Sequence, residues 1–146
     1  MSKHISDSPD QTQEIACALV EQLLGNQTGK ALVIALEGEL GAGKTTFAQA
    51  FAKALGVKQN LKSPTFVLMK HYKLEAKNYK LLYHLDCYRL QSPKDLGPLG
   101  LAEILKHPGN IILIEWAERV KGILPRGHIK INFEHVDEKT RKVRVS

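Results

Sequence analysis

The sequence predicts an α/β fold: a single domain with a mixed, mostly parallel central sheet flanked by helices. Three observations carry this expectation. Residues 32–36 and 111–114 are short, unbroken apolar runs of strand length, the pattern of strands covered on both faces. Apolar residues recur at helical spacing on either side of the first run, at Ile15, Ala18, Leu19 and Leu23 and again at Phe47, Ala50, Phe51, Ala54 and Leu55. The first run also leads through a glycine-rich segment directly into the second helical pattern, giving the strand–loop–helix order of a layered α/β domain.

Taken in order, Ser8-Pro9-Asp10-Gln11 reads as a helix start. Serine is a good N-cap, proline suits the first helical position, and Gln11 completes a capping box. Gly25-Asn26 ends that helix, and the seven residues before it are expected to be flexible. A second helix starts at about Lys44 and ends before Gly56. Ser63-Pro64 then punctuates the chain, because proline drives the preceding residue toward an extended conformation. Residues 66–74 and 80–90 read as an antiparallel hairpin, joined by Glu75-Ala76-Lys77-Asn78-Tyr79. A short helix at 101–106, the strand at 111–114, a strand at 128–133 and a closing hairpin at 143–145 complete the series.

At 146 residues the chain can bury a core without disulfide or metal staples. No apolar run approaches the roughly 20 residues of a membrane helix, and residues 1–8 lack the apolar centre of a signal peptide. A cytoplasmic protein without membrane contact is therefore expected. Cys17 and Cys87 stand in no metal-ligand spacing and are read as reduced, buried small hydrophobes. The net charge of +6 is scattered. Its densest stretch, residues 139–144, reads either as a solvated basic edge or as a nucleic-acid patch.

The chemistry concentrates in Gly38-Glu39-Leu40-Gly41-Ala42-Gly43-Lys44-Thr45, which has the P-loop spacing G-x-x-x-x-G-K-[ST]. The glycines let successive amides turn inward, and with the helix N-terminus these amides form a nest for phosphates. Lys44 supplies a point charge for the β- and γ-phosphates, the Thr45 hydroxyl suits Mg²⁺, and Thr46 lies toward the α-phosphate. Such a loop needs acids nearby. Residues 111–114 end in Glu115, the pattern of a Walker B strand. Along residues 80–90, His84, Asp86 and Tyr88 share one face, which suits an active-site wall. Trp116 fits two places, the core or a cover over the nucleotide.

These segments, together with Ser63-Pro64-Thr65-Phe66, His84-Leu85-Asp86-Cys87-Tyr88-Arg89-Leu90, Gly100-Leu101-Ala102-Glu103 and Ile114-Glu115-Trp116-Ala117-Glu118-Arg119, resemble the TsaE (YjeE) family over nearly the whole chain. That family contains the P-loop ATPases of bacterial tRNA threonylcarbamoyladenosine biosynthesis. Two positions depart from its pattern: Cys87, where a larger aliphatic residue is common, and Ala117, where proline is common. The resemblance implies a P-loop NTPase fold that binds ATP and Mg²⁺. It implies ATP hydrolysis that is weak alone and coupled to TsaD and TsaB, with tRNA met indirectly through that complex. It places Thr65 at the γ-phosphate, Asp86 and Glu115 at the metal or its water, and Trp116 near the nucleotide; either acid could take the direct metal contact.

A small-molecule P-loop kinase is the alternative enzyme. Its usual lid arginines have no clustered counterpart among Arg89, Arg119, Arg126, Arg141 and Arg144. A GTP switch would carry an Asn-Lys-x-Asp guanine signature, which the sequence lacks.

Overall fold

The computed structural model describes residues 2–25, 29–38, 43–59, 61, 69–76, 78–88, 90, 94, 97, 99–138 and 140–146. Among the described residues seven strands form one sheet: β1 (Ser2–Ser6), β2 (Leu32–Gly38), β3 (Met69–Lys73), β4 (Leu81–Asp86), β5 (Asn110–Glu115), β6 (Ile129–His135) and β7 (Arg141–Val145). Their spatial order is β1-β7-β6-β2-β5-β4-β3. The four central strands, β6, β2, β5 and β4, run parallel, and the outer strands β3, β7 and β1 join antiparallel. The sheet is therefore mixed, with a parallel centre.

Side-chain alternation sorts the apolar residues into two layers. On β2, Ile34 and Leu36 face one layer with Ile111 and Leu113 of β5, under helices α1 (Pro9–Leu24) and α2 (Lys44–Ala54). Val33, Ala35, Ile112 and Ile114 face the other layer, with α3 (Leu101–Lys106) and a kinked 3₁₀ segment, Ala117–Ile123. Burial on both faces is what the unbroken apolar runs predict.

The start of α1 follows the expected capping chemistry. Ser8 Oγ accepts from the Gln11 amide at 3.2 Å, while Gln11 Oε1 accepts from the Asp7 amide at 2.7 Å, one residue before the cap. The hairpin expected near residues 66–90 is present as β3 and β4, and the closing hairpin as β6 and β7.

Three expectations need correction. Residues 2–6, expected to be flexible, form β1, which pairs from Ser2↔Val145 to Ser6↔Arg141. Its end is fixed to α1, because Ser6 Oγ and Thr12 Oγ1 share a buried hydrogen bond of 2.7 Å. Cys17 is exposed, and only Cys87 is buried, where burial pushes its thiol up to about 12. Ala18 is exposed as well. Helix α1 meets the core through Ala16, Leu19, Val20 and Leu23, so its buried stripe is rotated toward Ala16 and Val20 from the one read in the sequence.

Candidate functional site

Strand β2 ends at Gly38 with φ 141°, a backbone shape that side chains rarely adopt. A Cβ there would lie 2.5 Å from the Phe133 carbonyl oxygen on β6, so the neighbouring strand also requires glycine. The chain re-enters at Gly43, whose φ of 99° is left-handed and which precedes the first residue of α2. Glu39, Leu40, Gly41 and Ala42 lie outside the described residues, as does Thr65.

Directly after Gly43 comes Lys44, 5% exposed. Its ammonium donates to the Gly38 carbonyl at 2.5 Å and lies 3.3 Å from the Trp116 ring centroid. Burial pulls the Lys44 pKa below the ordinary lysine value, while the carboxylates of Glu118, Glu115 and Asp86 act in the opposite direction. Trp116 reaches this position because it turns left-handed, φ 59°, immediately after β5. That conformation is uncommon for a bulky residue and is held by surrounding contacts. The indole packs on Tyr88, ring centroids 5.0 Å apart, with the Arg119 guanidinium 5.8 Å from its ring.

Register brings the acids to the same end of the sheet. Glu115 pairs with Leu36 of β2 on one side and with Asp86 of β4 on the other. Glu115 is buried, and each of its oxygens has a partner. Thr45 Oγ1 donates to Oε1 at 3.1 Å, and His84 Nε2 lies 2.5 Å from Oε2. Asp86 is half-buried and accepts from the Tyr88 amide at 3.0 Å.

A cleft of about 680 Å³ opens over this group, walled by Gly43, Lys44, Thr45, Thr46, Glu115 and Trp116. It continues past the α1 cap at Asp7, Ser8 and Thr12 to Glu138 and Arg141 beside the β6–β7 turn. Thus Gly43, Lys44, Thr45, Thr46, Glu115 and Trp116, six of the residues singled out in the sequence, line one cleft. Asp86 stands one strand over, in register with Glu115.

Sequence reasoning missed two participants. Glu118 Oε2 accepts from the Gly38 amide at 3.2 Å, anchoring the loop's first residue from 80 positions away, and Glu118 Oε1 is buried without a partner among the described residues. Arg141 lies across Gly43, its Cγ 3.6 Å from where a Cβ would stand. In the sequence it counted as part of a basic edge and among the unclustered arginines. Of that edge, Lys142 and Arg144 lie 4.0 and 3.7 Å from Glu134, so part of its charge is already paired.

A parallel-centred sheet that delivers a glycine-bounded loop and a buried lysine to a helix N-terminus defines a P-loop α/β protein. A family model described as "Threonylcarbamoyl adenosine biosynthesis protein TsaE" matches residues 6–143. Among curated relatives, "tRNA threonylcarbamoyladenosine biosynthesis protein TsaE" of Haemophilus influenzae is 39% identical over 118 residues, covering 81% of this chain and 72% of the relative. The protein of the same description from Bacillus subtilis is 37% identical over 111 residues, covering 76% and 66%. A crystal structure of YdiB from Bacillus subtilis superimposes with a TM-score of 0.70 at 31% identity, covering 97% of this chain and 82% of that one. The chain belongs to the TsaE family of tRNA threonylcarbamoyladenosine biosynthesis. Among the described residues no helix is long and apolar enough to cross a membrane.

Proposed function

We propose that this protein binds ATP with Mg²⁺ in the cleft, hydrolyses it, and uses that cycle to drive turnover of a TsaD–TsaB transferase complex that modifies tRNA. The observation that carries the reading is the meeting of Lys44, Thr45 and Glu115 at the N-terminus of α2. Lys44 is held in place yet faces a cleft wall, ready to exchange the Gly38 carbonyl and the Trp116 face for phosphate oxygens. The amides of Glu39, Leu40, Gly41 and Ala42 would complete the cradle by the motif's spacing, and Thr65 would meet the γ-phosphate. The part of the cleft lined by Ser8 and Arg141 would leave space for the nucleoside.

The donors fit Mg²⁺. Among the described residues no group of three or more His, Cys, Asp and Glu could hold an ion unaided. Mg²⁺ does not need such a cage, because it usually takes one or two protein oxygens together with phosphates and water. Thr45 Oγ1 and a carboxylate oxygen of Glu115 or Asp86 are hard oxygens of that kind. A bound Mg²⁺ would neutralise charge developing on the transferred phosphoryl group. The buried carboxylate of Glu115 would orient the attacking water, with Asp86 beside it.

Calorimetric titration with ATP and with GTP tests the assignment. ATP should bind the wild type, and Lys44→Ala should weaken it about 10- to 100-fold, the worth of one charge-assisted contact. Undiminished binding to Lys44→Ala would remove the cleft as the site, and equal GTP binding would remove the preference for adenine.

A further inference from the structure

His84 lies fully buried within β4, 0% exposed, a costly place for an imidazole. Strand alternation sets its direction: Leu82 packs under the α1–α2 layer, so His84 and Asp86 share that face. Its register partner on β5 is Leu113, two residues before Glu115. From there Nε2 reaches Glu115 Oε2, while Thr45 holds Oε1. An ionised carboxylate has no hydrogen to give, so Nε2 donates. Nδ1 has no partner. A leucine would fill the position without leaving a nitrogen unsatisfied, as its neighbours Leu82 and Leu85 do. The bond to Glu115 is what the imidazole adds.

We propose that His84 is a positioning residue for Glu115. It fixes Oε2, restricts a side chain that otherwise has three rotatable bonds, and so presents Oε1 to the Thr45 corner where the metal is expected. The inference rests on the reading of Thr45 and Glu115 as metal-side residues.

The test compares wild type, His84→Leu and His84→Gln, with ATP affinity measured in EDTA and Mg²⁺ then titrated into the protein–ATP complex. Glutamine can place an N–H near the Nε2 position, whereas leucine cannot. His84→Leu should raise the Mg²⁺ concentration for half-saturation about 10- to 100-fold. Its ATP affinity in EDTA should stay unchanged, and His84→Gln should recover most of the loss. A wild-type Mg²⁺ titration for His84→Leu overturns the proposal. So does a loss of metal-free ATP affinity that glutamine does not rescue, because that marks a packing role. Wild-type protein indifferent to Mg²⁺ would instead overturn the metal reading itself, and this inference with it. The imidazole ¹H–¹⁵N spectrum carries the test without any substitution at His84. The Nε2 proton should lie downfield and move when Mg²⁺–ATP is added or Glu115 becomes glutamine; a spectrum unaffected by both overturns the proposal.

Discussion

Lys44 Nζ sits 3.3 Å from the centroid of the Trp116 ring while bonded to the Gly38 carbonyl. A cation over an indole face is stabilised by the ring's electron density, and partial burial strengthens the effect. In the proposed function an arriving phosphate would compete for the same ammonium. Occupation of the cleft would then be coupled to the surroundings of Trp116, the chain's single tryptophan.

That coupling gives an optical readout. Adding Mg²⁺–ATP should change the Trp116 emission, and Lys44→Ala should show an altered starting spectrum with little further response. An emission unchanged by saturating ATP would show that the lysine stays on the ring.

At Gly38 the expected effect is on stability. An alanine there meets both the positive φ and the Phe133 carbonyl oxygen at 2.5 Å, and it displaces the amide bonded to Glu118. Chemical denaturation of Gly38→Ala should show a loss of about 2–4 kcal/mol. A loss below about 0.5 kcal/mol, the size of an ordinary surface substitution, would mean that β2 can move away from β6.

Much of the architecture was legible because its causes are local. The Ser8–Pro9 cap, the apolar runs of β2 and β5, and the strand–glycine–lysine passage into α2 each lie within a few residues. β1 was not legible: it is five residues with one large apolar side chain, and its partner strand β7 lies at the other end of the chain. The buried stripe of α1 was misplaced because docking on α2 selects Ala16 and Val20, which periodicity alone does not rank above Ala18. At the site, the sequence marked Glu115 and placed His84 beside Asp86 on a wall. It did not show that His84 bonds to Glu115, or that Glu118 holds Gly38. Those contacts exist only once β2, β4 and β5 are in register.

Glu118 also predicts a pH dependence. Burial lowers the Lys44 pKa and Glu118 is the strongest opposing charge. In the proposed function phosphate binding would need the ammonium, which is present below the folded-state pKa and lost as pH rises through it. Glu118→Gln removes a raising influence, so ATP affinity should fade at a lower pH than in the wild type. The unfolded chain keeps its proton up to the ordinary lysine value of 10.5. Between the folded value and that limit the unfolded state binds more protons, and the Lys44 contribution to stability rises with pH. Titrating ATP affinity against pH in both proteins checks the shift; coincident profiles, or a shift to higher pH, would contradict it.

The central claim is that the cleft's ATP cycle drives tRNA modification, and multiple-turnover threonylcarbamoyladenosine formation in a mixture reconstituted with TsaD and TsaB measures it most directly. With tRNA in excess over the complex, wild-type protein should sustain turnover, and Lys44→Ala and Glu115→Ala should each reduce the steady rate by about 100-fold or more. Sustained turnover with either variant would contradict the account.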